Sequence, residues 1–216
     1  MTFVLRDTNS VANHFLAEMR DVEVQKDSLR FRKNLERVGE LLAYELSKEL
    51  NYSPHTVQTP LGQSSTSLIE DNLVLITILR AGVPFHQGFL NFFDKFPSGF
   101  IGAFRRPEEE DQEIEIQLDY VSTPHLDDKV LIIVDPMLAT GKSLIKSLQA
   151  LSKFGTPKFV HVASVISAPE GLEYVKSNMT GDYKIWTGAI DERLNQKAYI
   201  VPGLGDAGDL AFGPKL

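Results

Sequence analysis

Cysteine is absent from this chain of 216 residues. Its absence excludes disulfides, thiolate metal sites and cysteine nucleophiles, and it fits the reducing environment of the cytosol. Long apolar runs are absent as well, since no stretch approaches the roughly 20 residues needed to span a membrane. The first ten residues, MTFVLRDTNS, lack the basic start and apolar core of a signal peptide. We therefore expect a cytoplasmic protein with no membrane partner.

Acidic residues outnumber basic ones, since the chain has 29 Asp and Glu but 22 Lys and Arg, for a formal net charge of −7. This balance disfavours general binding to nucleic acid, which needs a basic surface. An anionic ligand would need a locally positive pocket. The length is sufficient for one α/β domain with a full core, so we expect a single domain over residues 1–216.

Apolar, largely β-branched runs alternate with amphipathic stretches along most of the chain. The runs predict strands near 72–79, 100–104, 130–134, 158–167 and 184–190, and a short strand is expected near 55–59. The amphipathic stretches predict helices near 27–50, 83–96, 170–179 and after residue 143. We expect an α/β fold with a doubly wound, mostly parallel sheet and helices on both faces. Residues 1–50 are interpreted as a helical arm ahead of the sheet, with Ser10 capping a first short helix.

The most informative stretch is KVLIIVDPMLATGKS, from Lys129 to Ser143. A buried strand ends at Asp135, small residues follow, and a helix then begins. Unpaired N–H groups at a helix amino terminus bind anions, and a carboxylate beside them can accept hydrogen bonds from sugar hydroxyls. The stretch therefore predicts a site for phosphate and ribose.

Two alternatives to this interpretation remain open. The tail Gly141-Lys142-Ser143 looks like a Walker P-loop, but the earlier glycine of that motif is replaced by Pro136, which offers no N–H. An ordinary turn between a strand and a helix would have the same local pattern.

A second strand, ending at Leu79, is followed by Arg80-Ala81-Gly82 and a helix. Ligands of open α/β sheets gather at the carboxyl ends of the strands. An Arg at that edge suits a diphosphate, since it offers a fork of donors. The alternative for Arg80 is a surface salt bridge.

Residues from about 105 to 125 predict a hairpin. An acidic run from Glu108 to Glu113 leads into EIEIQLDY, which alternates polar and apolar residues. We interpret this segment as a flexible hood that closes over a site and excludes water. A solvated edge hairpin with no part in function is the alternative.

The segment YIVPGLGDAGDLAFG, from Tyr199 to Gly213, is rich in glycine. Its glycines make regular structure unlikely and let the backbone approach a ligand closely. We expect a carboxyl-terminal loop that reads a flat, neutral base through main-chain groups, with Asp206 as its strong acceptor. A plain tail is the alternative.

Several segments together resemble the uracil phosphoribosyltransferases, within the type I phosphoribosyltransferases. They are LRAG at 79–82, Phe104-Arg105, DPMLATG at 135–141, SAPEGLEYV at 167–175 and YIVPGLGDAGD at 199–209. The resemblance covers the chain from about Asn72 onward. It implies an enzyme that joins uracil to phosphoribosyl diphosphate (PRPP), giving UMP and diphosphate in pyrimidine salvage.

The resemblance also implies roles for individual residues. The catalytic residues would be Arg80 and Arg105 on the diphosphate, Asp135 on the ribose hydroxyls, and Asp206. PRPP would further contact the loop formed by Pro136, Met137, Leu138, Ala139, Thr140, Gly141, Lys142 and Ser143. Uracil would lie against Ile200, Gly205, Asp206 and Ala207. No protein ligands for a metal are expected, because Mg²⁺ would be held mainly through PRPP.

Members of this family are dimers or larger homo-oligomers, and some respond to GTP. One departure lies in the core motif, where Lys142 replaces a second glycine; hypoxanthine-type enzymes carry Lys at that place. Two rival functions stay open on this fold. One is a UMP-sensing regulator that binds RNA, which the net charge of −7 disfavours. The other is a phosphoribosyltransferase for another base.

Overall fold

The computed structural model describes the backbone of residues 1–105 and 116–214, and the side chains of residues 1–102 and 119–214. The strands are β1 (Thr2–Val4), β2 (Tyr52–Thr59), β3 (Gly62–Ile69), β4 (Leu73–Leu79), β5 (Ser98–Arg105), β6 (Ile116–Ser122), β7 (Val130–Val134), β8 (Met137–Leu138), β9 (Phe159–Ser167), β10 (Tyr183–Ile190), β11 (Arg193–Leu194) and β12 (Ile200–Val201). The helices are α1 (Ala12–Arg20), α2 (Ser28–Ser47), α3 (Gly82–Leu90), α4 (Lys142–Leu151), α5 (Pro169–Asn178) and α6 (Ala207–Phe212). Short 3₁₀ turns cover Leu5–Asp7, Val24–Lys26 and Ser152–Phe154. Within these residues, no helix combines the length and apolarity needed to cross a membrane.

A mixed central sheet has the strand order β1-β10-β9-β7-β4-β5-β6, and β8 pairs with the end of β9. All of these pairs are parallel except β5 with β6. β4 and β7 lie in the middle, and every residue of β7 is buried. Their continuous apolar runs arise because both faces of the sheet are covered. The predicted doubly wound, mostly parallel α/β fold is confirmed.

Successive residues of β4 point to opposite faces of the sheet and join two separate cores. Leu73 and Leu75 pack in the core that α1, α2 and α3 cover, which includes Phe31 and Phe85. The alternate β4 residues, such as Ile76, pack in the core that α4 and α5 cover. The two cores fix the sheet rigidly, and therefore fix the side chains that follow the carboxyl ends of β4 and β7.

Neither β1 nor β3 was predicted from the sequence. β1 extends the sheet beside β10, with Phe3 opposite Trp186, so residues 2–4 form a strand within a segment interpreted as a helical arm. β3 pairs with β2 in a separate antiparallel hairpin over residues 52–69, of which only one strand was predicted. Most residues of this hairpin are exposed, and Leu61 at its turn is 99% exposed.

Two buried histidines make stability depend on pH. Burial lowers the pKa of His86 to about 4, and the pKa of His161 falls to about 4 through burial and then nearby Lys184. His161 Nδ1 accepts a hydrogen bond from Trp186 Nε1 at 3.0 Å. Neither ring nitrogen of His86 has a partner among the described residues. Both imidazoles are therefore neutral in the folded protein at neutral pH.

We expect the free energy of unfolding to fall when the pH drops from 7 to 5. In the unfolded chain both histidines bind protons below about pH 6.5, whereas in the folded protein they stay neutral down to about pH 4. The free energy of unfolding is therefore highest above pH 6.5 and falls as the pH drops from 6.5 to about 4. Between pH 7 and pH 5, each histidine can lower the free energy of unfolding by at most about 2 kcal/mol. Urea unfolding at a series of pH values measures the slope.

The variant His86→Leu tests the origin of this slope. It should remove about half of the pH dependence and leave stability at pH 7 unchanged or higher, because an unpaired buried polar group disappears. The exposed His55→Gln provides the control and should leave the slope unchanged. An unaltered slope in His86→Leu would show that other groups govern it.

Candidate active site

A cleft of about 660 Å³ opens at the carboxyl ends of β4 and β7. It is lined by Ile78, Leu79, Arg80, Ala81, Gly82, Gly102, Asp119, Asp135, Pro136, Met137, Ala139, Ser143, Ala198, Tyr199, Gly205, Asp206, Ala207 and Gly208. Distant parts of the chain therefore meet there: the end of β4, single positions of β5 and β6, the loop after β7, and the segment that leads into α6. This is the edge at which ligands of open α/β sheets bind.

The loop between β7 and α4 is tied to the end of β9. The carbonyl oxygen of Pro136 accepts hydrogen bonds from Val165 N and Ile166 N at 2.9 and 3.1 Å, and Leu138 O accepts one from Ala168 N at 2.9 Å. These bonds leave the loop little freedom and aim the start of α4 at the cleft. The first N–H groups of a helix have no partner inside the helix, so this end of α4 suits an anion.

Gly141 immediately precedes α4 and has φ of +75°, a conformation that favours glycine. A Cβ placed there would lie 2.9 Å from both Gly171 O and Val175 Cγ2 in α5. The close approach of α4 to α5 therefore requires glycine. Any larger residue at this position would displace the start of α4.

Asp135 directly follows β7 and lies half-buried on the edge of the cleft. One of its oxygens, Oδ1, accepts a hydrogen bond from Met137 N at 3.3 Å. This bond orients the carboxylate along the loop. A carboxylate in this position can accept hydrogen bonds from two neighbouring hydroxyl groups of a sugar.

Arg80 also lines the cleft, directly after β4, the strand next to β7. Its Nη2 contacts Asp209 Oδ1 at 2.7 Å, and its Nη1 donates to Gly213 O at 3.2 Å. Its buried Nε has no hydrogen-bond partner among the described residues. A buried N–H without a partner is unfavourable, so a shift of the side chain that brought this N–H to a ligand oxygen would be favourable.

The carboxyl-terminal segment is not wholly irregular, which corrects the expectation drawn from its glycines. Ala207–Phe212 form α6, and Asp206 caps it by accepting hydrogen bonds from Gly208 N and Asp209 N at 2.8 and 3.0 Å. An Asp cap and a following apolar turn were enough to form a helix despite the glycines. A Cβ on Gly208 would lie 3.1 Å from Arg80 Nη2, so glycine lets the guanidinium approach α6.

Comparison with known proteins decides the family. A model of the uracil phosphoribosyltransferase family matches residues 6–214. The chain belongs to the uracil phosphoribosyltransferase family. Two curated uracil phosphoribosyltransferases illustrate the similarity. The one from Porphyromonas gingivalis is 49% identical and spans 96% of each chain, and the one from Pyrococcus furiosus is 39% identical and spans 92% of this chain and 84% of that protein.

Two solved structures share the fold of the chain. The AQ2163 protein from Aquifex aeolicus is 33% identical, with a TM-score of 0.87 over 99% of this chain and 98% of that one. A hypoxanthine phosphoribosyltransferase from Staphylococcus aureus is 13% identical, with a TM-score of 0.51 over 80% and 85% of the two chains. The second likeness shows a shared fold alone.

The cleft of this uracil phosphoribosyltransferase family member contains many of the residues predicted from the sequence. Those on its lining are Arg80, Asp135, Pro136, Met137, Ala139, Ser143, Gly205, Asp206 and Ala207. The lining does not include Leu138, Thr140, Gly141, Lys142 or Ile200. The side chains of Leu138 and Ile200 are buried in the two cores. The roles assigned to the residues on and off this lining stay predictions.

Part of the predicted site cannot be compared with the structure. The backbone of Arg105 ends β5, but its side chain lies outside the described residues, as do residues 106–115 of the predicted hood. The described part of that segment is β6, which pairs antiparallel with β5. The roles of Arg105 and of the hood therefore stay predictions.

The charge of the described lining differs from the expected positive pocket. It carries one guanidinium group, Arg80, and three carboxylates, Asp119, Asp135 and Asp206. Such a lining would repel a polyanionic ligand unless a cation accompanied it. The described residues contain no group of three or more His, Cys, Asp or Glu that could hold a metal ion. A diphosphate that carried its own Mg²⁺ would fit this lining, because the cation would offset the charge of the carboxylates.

Sequence reasoning missed Asp209, although it stands in the quoted motif PGLGDAGD. Its partner Arg80 is 129 residues away, and no local pattern connects the two. Asp119 was also missed, because alternation in EIEIQLDY predicts only a half-exposed strand. The order of the strands brings its β6 position to the cleft.

Proposed function

We propose that this chain transfers the phosphoribosyl group of PRPP to uracil, giving UMP and diphosphate, in pyrimidine salvage. Membership of the uracil phosphoribosyltransferase family supports this function. The observation that carries it in the structure is the meeting of Arg80, Asp135 and Asp206 in one cleft beside the start of α4. This combination suits an activated sugar with a phosphate at one end and a diphosphate at the other.

In this reaction, uracil N1 attacks C1′ of the ribose, the bond between C1′ and diphosphate breaks, and N1 loses its proton. Positive charge develops on the ribose and negative charge on the leaving diphosphate. Arg80 and Arg105 would stabilise the leaving group, and Asp135 would hold the ribose hydroxyls. Bound Mg²⁺ would neutralise part of the diphosphate charge.

The loop from Pro136 to Ser143 would bind the 5′-phosphate through the amino terminus of α4. The segment containing Gly205, Asp206 and Ala207 would form the wall against which uracil lies, together with Ile200. Because Asp206 already caps α6, its carboxylate is held in a fixed orientation beside the ligand. The groups that contact the two substrates are therefore oriented before binding, which favours reaction.

The test is to incubate the protein with PRPP, Mg²⁺ and one base at a time, and to measure diphosphate release and nucleotide formation. We expect UMP from uracil and far slower release with cytosine, hypoxanthine and guanine. Release with hypoxanthine but not with uracil would support the rival enzyme for another base. Filter binding with RNA, with and without UMP, tests the rival RNA-binding regulator, which the net charge of −7 disfavours.

Lys142 is the residue at which this chain departs from its family motif. It is the first residue of α4 and is half-buried. We expect Lys142→Gly to keep its rate of UMP synthesis within about tenfold of the wild-type rate, because backbone N–H groups provide most of the anion binding at a helix amino terminus. Lys142→Ala provides the control for the added backbone freedom of glycine. Complete loss of UMP synthesis in both variants would show that the lysine has an essential role.

We propose that the protein acts as a homo-oligomer in the cytoplasm. The β2–β3 hairpin supports this, because a lone two-stranded hairpin is marginally stable in water and this one exposes Leu61 and Leu68. Light scattering coupled to size-exclusion chromatography measures the mass. Regulation by GTP stays a prediction of the resemblance, checked by UMP synthesis with and without GTP.

A further inference from the structure

The amino-terminal helix α1 ends in an ion pair that is largely buried. Arg20 at its last position contacts Asp191 through two hydrogen bonds, Nη2 to Oδ1 at 2.6 Å and Nη1 to Oδ2 at 2.8 Å. The side chain of Asp191 is 0% exposed and that of Arg20 is 20% exposed. Burying two charges is unfavourable unless their remaining hydrogen-bonding capacity is used.

That remaining capacity is used on one glycine, Gly203. Asp191 Oδ2 accepts a hydrogen bond from Gly203 N at 2.9 Å, and Arg20 Nη1 donates to Gly203 O at 2.9 Å. The pair therefore binds both polar groups of a single residue. Gly203 has φ of +63°, and a Cβ there would lie 2.1 Å from Ile200 O, so the chain turns sharply at this point.

The next carbonyl along the segment is held from the same arm. The side-chain amide of Gln25, in the orientation that satisfies its hydrogen bonds, donates to Leu204 O at 2.8 Å. Two consecutive carbonyl groups, those of Gly203 and Leu204, are therefore held by residues of the amino-terminal arm. The residues that follow at once are Gly205 and Asp206, which line the cleft.

We propose that Arg20 and Asp191 are positioning residues for the base-binding wall of the cleft. They act through Gly203 and hold the segment 200–206 against the amino-terminal arm. Neither residue lines the cleft. This inference rests on the proposed placement of uracil against Ile200, Gly205 and Ala207.

A kinetic consequence separates this role from general support of the fold. The phosphate loop and Asp135 are held by β7, β9 and α4, without contact to Arg20 or Asp191 in the described hydrogen bonds. Loosening the segment 200–206 should therefore weaken uracil binding and leave PRPP binding nearly unchanged. A displacement of about 1 Å at a substrate-positioning segment can reduce the rate by about 10²-fold.

The test uses Arg20→Lys and Asp191→Asn in the full chain. A lysine keeps the charge beside Asp191 but cannot reach both Asp191 and Gly203 O through a rigid fork. An asparagine still accepts a hydrogen bond from Gly203 N but loses the ion pair. The matched control is Arg30→Lys, because Arg30 makes a two-bond ion pair with Glu18 on the exposed surface of the same arm.

We expect each of the two variants to raise KM for uracil by about tenfold or more, and to change KM for PRPP by less than about twofold. In the double variant, KM for uracil should rise by less than the product of the two single effects, because both residues act on the same glycine. The discrimination against 5-bromouracil, measured as a ratio of kcat/KM values, should also relax. Arg30→Lys should match the wild type in all of these measurements.

An equal rise in both KM values, or a lower melting temperature with unchanged kinetics, would overturn the proposal, since either would indicate general support of the fold. If Asp191→Asn fails to fold, as judged by PRPP binding in a calorimeter, the KM values of Arg20→Lys alone test the proposal. Failure of the proposed function has a different signature, because the wild type would then form no UMP at all.

Discussion

Replacing Asp135 by Asn is expected to reduce kcat/KM for UMP synthesis by two to three orders of magnitude, judged by the loss of single charge-stabilising groups in other enzymes. Asparagine has the same shape, and its oxygen can still accept the hydrogen bond that Met137 N donates to Oδ1 at 3.3 Å. The loop should therefore keep its fold. The negative charge and one acceptor would be lost, and with them the proposed hold on two ribose hydroxyls.

Steady-state kinetics with uracil and PRPP, together with the melting temperature, measure the effect. Asp119→Asn is the matched control, since it removes the same charge from another wall of the same cleft. If repulsion within the cleft were the main effect of these carboxylates, both variants would bind PRPP more tightly. A rate loss in Asp135→Asn alone supports a specific role for Asp135. Equal and small effects in both variants would contradict it.

Replacing Arg80 by Lys is expected to reduce kcat by about two orders of magnitude. The guanidinium group makes two contacts with the carboxyl-terminal segment, to Asp209 and to Gly213 O, and its Nε is buried without a partner in the described part of the chain. A lysine has a single charged group, so it cannot keep these contacts and present another N–H to a diphosphate oxygen at the same time.

Asp209→Asn completes this test, because Asp209 contacts Arg80 but does not line the cleft. The pair is partly exposed, at 35% and 41%, so its loss should have little effect on stability. We expect a smaller rate loss of about tenfold, through a less well oriented guanidinium group. In the Arg80→Lys background the same change should have almost no effect. If the rate losses of Arg80→Lys and Asp209→Asn multiply in the double variant, Asp209 does not act through Arg80.

The sequence predicted the parts of the site that are encoded locally. The buried strand, the acid, the small residues and the helix lie consecutively from Lys129 to Ser143, so their arrangement needs no knowledge of the rest of the chain. Arg80 was predicted in the same way, from a strand followed by small residues. Arg80 and Asp135 were expected at one edge, because parallel strands present their carboxyl ends at the same edge of a sheet.

The remaining features depend on contacts between distant residues. Arg20 and Asp191 are 171 positions apart, and Arg80 and Asp209 are 129 apart, so neither pair has a local pattern. β1 is three residues long and is stable only because β10 lies beside it. α6 was missed because the glycines were weighted above the cap provided by Asp206.

The dependence of the segment 200–206 on distant residues has a consequence for protein synthesis. Gly205 to Gly208 are made after the sheet edge that carries Arg80 and Asp135. Arg20, made 171 residues before Asp191, has neither Asp191 nor Gly203 to bind until both have been translated. Nascent chains should therefore complete the cleft only after residues 191–208 have left the ribosome and Gly203 has bound Arg20.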